Sequence, residues 1–365
     1  MNRNYPKYSS IISTHCRFFM PHSFNAFLFG AVLLTLISSC QNQIDSTSEL
    51  RAVDSGAFFY DWAEQDSVLE LTLTLDMERI KTQKEEEIYQ NEIISIYKNS
   101  DTLIIPIQVS ARGKTRKKIC GFPPLRIKIN DSIAEMNNWG PHRKYKIVTH
   151  CQPDQLHEKL LLKEYLVYEL CQLLTPISFR AQLCRINYQF TDRTDTRFAV
   201  LLEDEDILAK RLQAIEVEMN TDNLRSINKE AYQQLVMFQY MIGNTDWNMH
   251  EQHNIVLLKM SDSPSPVPVP YDFDYCGLVN APYATPYPTL PIKNVRERLF
   301  QYRGSKDDDF APIIKQFKEL KPKFYGLIQT LPYLDSQDKM DLTAYLEDFF
   351  MILDQPDWKD TIFRQ

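Results

Sequence analysis

The chain has 365 residues, 44% of them hydrophobic and 12% aromatic, enough apolar mass for one large or two modest cores. Its formal charge is −7, and residues 1–39 hold Arg3, Lys7 and Arg17 with no acid, so 38 of the 41 basic side chains remain to face 48 acids. That balance disfavours non-specific nucleic-acid binding, and nine glycines with no internal period argue against a propeller or solenoid.

The first segment reads as targeting sequence. "FLFGAVLLTLISSC" is an apolar run too short to span a bilayer, preceded by basic residues and closed by small residues and a cysteine, the layout of a secretory signal. Its end, "ISSC", resembles a bacterial lipobox. Residues 1–39 are therefore expected to be a lipoprotein signal peptide, Cys40 the lipidated first residue of the mature chain, and 40–55 a polar tether. Synthesis starting at Met20 would remove every Lys and Arg ahead of the apolar run, so the start site stays open while export survives either choice. This places the protein in a bacterial cell envelope, held to the membrane by lipid.

Residues 56–204 are sheet-rich with one long helix. "VLELTLTLD" alternates strictly and is followed by a charged helical stretch; "DTLIIPIQVSARG", "PLRIKIND" and "HRKYKIVTH" read as further strands. "QPDQLHEKLLLKEYLVYELCQLL" is an amphipathic helix of roughly six turns, after which "AQLCRINYQFTD" and "TRFAVLLED" return to strand. From Glu205 to the end the pattern is helical, in "DILAKRLQ", "KEAYQQLVMFQYMIG", "DFAPIIKQFKELKPKFYGLIQTLP" and "KMDLTAYLEDFFMILDQ". The order predicts an α+β fold with a boundary near Glu203 to Asp206. Five cysteines follow Cys40, at 120, 151, 171, 184 and 276; none forms a zinc-like spacing, and they read mainly as small buried apolar side chains with at most one or two disulfides.

Two motifs fail on spacing. "RGKT" at 112–115 ends like a phosphate-binding loop, but Gln108 stands where the leading glycine belongs, and "HEQH" at 250–253 is one residue short of the zinc-protease motif. A different constellation survives. In "GNTDWNMHEQHNIVLL" an Asp in a loop precedes by eight residues an Asn that opens a short strand, and eighteen residues later a proline-rich loop, "PVPVP", leads into Asp272, Phe273 and Asp274. Phosphoryl-transfer enzymes use this order, because one carboxylate must orient or deprotonate the attacking hydroxyl while an amide oxygen and a second carboxylate hold a divalent cation. Asp246 takes the first role, Asn254 and Asp272 the others, with Asn248 a competing ligand to Asn254. A phosphate-binding Lys held by a helix Glu completes such a site. Glu164 lies on the otherwise apolar stripe Leu161, Tyr168 and Cys171, where a carboxylate requires a partner; Lys146 is the expected one and Lys128 the competitor. Glu203, between the two halves, is expected near a nucleotide base.

With these residues in view, "ARGKTRKKICGFPPLRIKI", "GNTDWNMHEQHNI" and "PYDFDYCG" resemble the corresponding stretches of the CotH family of secreted atypical kinases, and of HipA-like kinases, over roughly residues 105–280. The resemblance implies a two-lobed kinase-like fold, ATP or another nucleotide with Mg or Mn, catalytic Asp246, metal ligands Asn254 and Asp272, and a phosphate-side turn at Arg112, Gly113 and Arg116. It implies phosphoryl transfer to a hydroxyl of a protein or small-molecule acceptor. An inactive ligand-binding lipoprotein on the same fold, or nucleotidyl transfer with the same cation ligands, are the alternatives.

The leader carries its own test. Cys40→Ala is expected to abolish incorporation of palmitate analogues in cells, since each buried methylene adds about 0.8 kcal/mol of membrane affinity. Unchanged labelling would remove the lipid anchor.

Overall fold

The computed structural model describes residues 58, 59, 61, 68–86, 88–98, 101–220 and 226–364. The leader, Cys40 and the tether up to residue 55 lie outside the described residues. No helix among those described is long and apolar enough to cross a membrane.

Alternation of apolar and polar residues builds seven strands: β1 (Leu69–Thr74), β2 (Gln90–Lys98), β3 (Asp101–Ala111), β4 (Leu125–Ile129), β5 (Lys144–Val148), β6 (Ala181–Gln189) and β7 (Thr194–Leu202). They close into a barrel in the order β1-β2-β3-β4-β5-β7-β6. The strand pairs are antiparallel except β1–β6, which runs parallel with Leu69 opposite Cys184 and Thr74 opposite Gln189. Every second residue enters one core: Leu69, Leu71 and Leu73 of β1, Ile105, Ile107 and Val109 of β3, Leu125, Ile127 and Ile129 of β4. Strand β7 has no polar face at its end. Ala199 and Leu201 belong to the barrel core while Val200 and Leu202 join a second, helical core, which is why "AVLL" is continuously apolar.

Short helices α1 (Met77–Thr82), α2 (Thr115–Ile119) and α3 (Asp131–Met136) interrupt the strands. Helix α4 (Gln155–Leu174) starts where Asp154 accepts a hydrogen bond from the His157 N–H, 2.9 Å. It is buried beyond one stripe, at Leu160 to Glu164, Leu166 to Tyr168, Leu170 and Cys171. The reason is its position between β7 and α7 (Ala311–Thr330), so the simple amphipathic expectation is corrected. After α5 (Glu205–Arg211) and α6 (Lys229–Ile242), helices α7, α8 (Ser336–Leu353) and α9 (Trp358–Phe363) complete the helical part.

The α+β class holds, and a small sheet adds to it. Strand β8 (Ala214–Glu216) pairs with β9 (Ile255–Met260), which pairs with β10 (Val267–Pro270). The proline-rich stretch, expected as a loop, is thus partly strand. Tyr271 N–H donates to Asn254 O on the β9 side, so odd-numbered residues there face the ladder and Pro266, Pro268 and Pro270, which lack an N–H, face away.

Cys120 and Cys151 form a disulfide across a sequence separation of 31, which constrains the unfolded chain by about 3–4 kcal/mol. Cys171, Cys184 and Cys276 are buried free thiols, as expected.

Helix α6 ends on Gly243, which takes the left-handed conformation at φ 65. There the chain meets the segment after Asp274: Gly277 N–H donates to Gly243 O at 3.0 Å and Leu278 N–H to Ile242 O at 2.9 Å. A Cβ on Gly277 would lie 2.4 Å from the Val295 carbonyl oxygen and 2.3 Å from the Tyr345 hydroxyl. Gly277→Ala is therefore expected to lower stability by about 1–3 kcal/mol in denaturant titration. An unshifted midpoint would show that this junction relaxes freely.

Candidate functional site

The loop after Gly243 folds on its own polar side chains. Asn244 Oδ1 accepts the Asp246 N–H at 3.0 Å. Asp246 Oδ1 lies 3.0 Å from His253 Nε2, and Oδ2 accepts from Asn254 Nδ2 at 3.1 Å, which also reaches Asp246 O at 2.7 Å. Asn254 is buried with φ 55, a left-handed conformation that Asn tolerates better than most residues. Its nitrogen is committed to Asp246, so its Oδ1 is the atom able to take a cation. Asn248, the competing ligand, commits its oxygen to the His250 and Glu251 N–H groups of the turn, at 2.8 and 3.2 Å.

The second loop is set by a buried ring. Phe273 packs edge-on against Tyr168 of α4 and Phe238 of α6, at 4.8 and 5.9 Å between centroids. Asp272 before it has φ 60 and donates its N–H to the Tyr168 hydroxyl at 3.0 Å, leaving its carboxylate exposed. Asp274 after it is buried, accepts from the Tyr283 hydroxyl at 3.1 Å, and lies 3.8 Å from Arg116. Burial, with Asp272 close by, holds the Asp274 carboxyl well above the usual carboxylate range.

Glu164 does have a partner, but it is Arg116 rather than the expected Lys146. Arg116 Nη1 donates to Glu164 Oε2 at 3.0 Å and Nη2 to Thr149 O at 2.9 Å. Burial alone would depress the guanidinium, yet Glu164, Tyr283, Asp274 and Asp272 outweigh it and hold its pKa above the ordinary value. Burial pushes the Glu164 carboxyl up, Arg116 opposes it, and Asp272 adds to it. Lys146 instead pairs with Glu205, with Asp204 3.9 Å away, and sits 5.9 Å from the Tyr271 ring centroid. The reason is register. On β5, Lys146 stands opposite Leu202 of β7, so it faces the start of α5, whereas α4 is approached by α2, which carries Arg116.

One cleft of about 720 Å³ joins these groups. Arg112, Gly113, Arg116, Lys146, Glu203, Asp246, Asn254 and Asp272 all line it, and Glu164 stands behind Arg116. Lys128 is absent from the lining, two residues along β4 from Arg126, which is present. Glu203 borders the cleft with its carboxylate already committed: it accepts from Arg211 Nε at 2.9 Å and Nη2 at 3.0 Å, and from the Arg180 N–H at 2.9 Å. Its side chain braces the wall of the cleft. The buried Nε atoms of Arg112 and Arg116 have no hydrogen-bond partner, so the cleft holds donors suited to an anion. The HEQH run makes no metal cluster; among the described residues only His142, Asp204 and Asp206 converge as three such ligands.

Asp274, Glu205, Tyr271 and Tyr287 also belong to the site and were not foreseen as functional. Asp274 carried a signal, since it stands where a flexible glycine would end the "DFD" turn. The others gave none.

Arg116→Met is expected to destabilise the fold by about 3–5 kcal/mol, because it strands a buried carboxylate. The deficit should grow as pH rises. The unfolded Glu164 ionises near its ordinary value of about 4.3, while the folded one, its pKa raised further, resists, so the folded state binds more protons and loses stability above that pH. A pH-independent deficit in denaturant titrations would show that the pair is not what Arg116 supports.

No protein-family model matches the chain, and no curated protein matches it. Among solved structures, the crystal structure of a Helicobacter pylori proinflammatory kinase, CtkA, is similar with a TM-score of 0.37 at 14% identity, over 62% of this chain and 90% of that one.

Proposed function

We propose that the cleft binds a nucleoside triphosphate with Mg or Mn and transfers its terminal phosphoryl group to a hydroxyl, as the CotH-like kinase motifs imply. The reading rests on one observation: Asp246, Asn254 and Asp272 line the same cleft as Arg112, Arg116 and Lys146, which lie a hundred or more residues earlier in the sequence. Asp246, oriented by Asn254 and beside His253, accepts or directs the acceptor proton. Asn254 Oδ1 and the Asp272 carboxylate would hold the cation, an oxygen set of the kind such a cation takes. Arg112 and Arg116 supply donors to the phosphates, with Arg116 fixed by Glu164. In this reading the protein works at a bacterial envelope, anchored through Cys40, with a protein or small molecule as acceptor.

A second reading, nucleotide binding without transfer, is favoured by one feature. Lys146 is tied to Glu205 rather than to Glu164, so the Lys–Glu pair on which kinase phosphate alignment depends is not formed.

Two variants separate the readings. Asp246→Asn is expected to leave metal–nucleotide affinity within a few-fold and remove turnover, because it changes the proton acceptor and not the cation. Asp272→Ala is expected to weaken nucleotide binding, because the cation loses a charged oxygen ligand. Calorimetry with Mg or Mn and ATP, paired with transfer from labelled ATP, reads both. Binding without transfer in the wild type would select the second reading, and neither would remove both.

A further inference from the structure

The outer face of the β2–β3 hairpin is uncharged, in a chain where 24% of residues are charged. Alternation turns Ile94, Ile96, Ile105 and Ile107 into the barrel core and leaves three cross-strand pairs outside: Ile93 opposite Pro106, Ser95 opposite Ile104, and Tyr97 opposite Thr102. Ile93 is 48%, Tyr97 44% and Ile104 64% exposed, so two aliphatic side chains and a ring stand in solvent over a strip about 14 Å long. The one acid in these stretches, Glu92, is engaged by Thr74 Oγ1 at 2.6 Å and the Asp76 N–H at 3.2 Å.

One margin of the strip is basic. Register extends the next row, Asn91 and Gln108, to Lys128 of β4 and Lys144 of β5, which stand directly opposite each other. Like charges so placed repel, and neither lysine has an ion-pair partner among the described residues. An anion lying over both relieves that repulsion. At the other margin Glu70, opposite Tyr97 on β1, lies 3.6 Å from Arg185. The chain also enters the barrel at this strip. Phe58 and Phe59 are buried in the barrel core, and Asp61 is held by Lys98 through its carbonyl and by Trp139 Nε1 at 2.8 Å through its carboxylate. Lys98 follows Tyr97 on β2. Phe58 follows Cys40 by 18 residues, which even fully extended reach about 60 Å.

We infer that this face docks on the surface of an anionic bilayer, with Ile93, Tyr97 and Ile104 in the headgroup region and Lys128 and Lys144 on lipid phosphates. The inference rests on the lipid-anchor reading of Cys40, since lipidation keeps the barrel within that reach and makes the second contact intramolecular. A ring with a polar end beside aliphatic side chains suits the membrane–water interface, and basic groups near an anionic leaflet add attraction. The anchor limits distance, and the barrel face sets orientation. Arg126 and Lys146 form the row beyond Lys128 and Lys144 and line the cleft, so docking would hold the cleft near the lipid surface.

The test uses the full chain, lipidated in bacterial cells, purified and reconstituted in vesicles of phosphatidylglycerol and phosphatidylethanolamine. A benzophenone amino acid replaces Ile104 on the docking face or, as the reference, the exposed Met351 of α8. After irradiation, mass spectrometry is expected to find phospholipid adducts at position 104 and only background at position 351. Lys128→Gln combined with Lys144→Gln should lower the docked-to-undocked ratio about thirty-fold, since each lysine near an anionic surface adds about a factor of five. Vesicles of phosphatidylcholine alone should also lower it, and unfolding midpoints confirm that the variants are folded. In chains whose Cys40 carries lipid, adducts equal at the two positions, or unchanged in the lysine variant, overturn the inference and leave the anchor standing. Adducts joining position 104 to a second copy of the chain overturn it in favour of a protein interface. Adducts at position 104 on a chain whose Cys40 carries no lipid remove the anchor reading and leave the docking face standing.

Discussion

A guanidinium buried against two carboxylates sets the geometry of the cleft. Arg116 comes from α2, Glu164 from the middle of α4, and Asp274 from the loop that follows β10, so one cation ties the segment after β3 to the long helix and to the loop beyond the small sheet. Desolvating such groups costs several kcal/mol per ion, which mutual attraction offsets only when the geometry is kept. The pair is therefore a poor source of net stability and a strong source of definition. A shift of α4 or of the 112–116 turn would separate the charges and expose that cost. The same arrangement leaves the Nε–H donors of Arg112 and Arg116 without partners, so donor capacity at the site is held in reserve for something anionic.

The other constraints reinforce this one at its ends. The Cys120–Cys151 disulfide joins the end of α2 to the residues before α4, alongside the Phe122–Cys151 backbone bridge and the Arg116 bond to Thr149 O. On the far side, Gly243 and Gly277 bring the Asp246 loop and the Asp272 loop into direct backbone contact. Between these two clamps the Asp246–Asn254 hydrogen bonds are local to one loop.

Local periodicity made the strands and long helices legible, since β1 alternates cleanly and α6, α7 and α8 repeat at helical spacing. The Asp246, Asn254 and Asp272 set was also readable, because each residue sits at the end of a recognisable element. Barrel closure was not. The parallel β1–β6 contact joins residues more than a hundred positions apart and leaves no trace in either strand's own pattern. Glu164 announced that it needed a partner, yet a carboxylate on an apolar stripe does not say which cation reaches it. Lys146 was nearer in sequence, but its register opposite Leu202 turns it toward Glu205, whereas Arg116 arrives on α2, whose end is pinned by a disulfide that spacing alone could not pair. Glu203 read as a cleft group because it lies between halves; Arg211, eight residues on, had already claimed its carboxylate.

The edge of the small sheet has a consequence for how this protein behaves among its neighbours. A strand at a sheet margin normally offers a row of open donors and acceptors to any passing extended chain. On β10 the outward positions are prolines, and the outward carbonyl of Pro266 is taken by the Asn228 N–H, while the opposite margin, β8, is three residues long. Neither margin offers a long open edge to a further strand, so the apolar run "NIVLL" stays sealed inside one molecule.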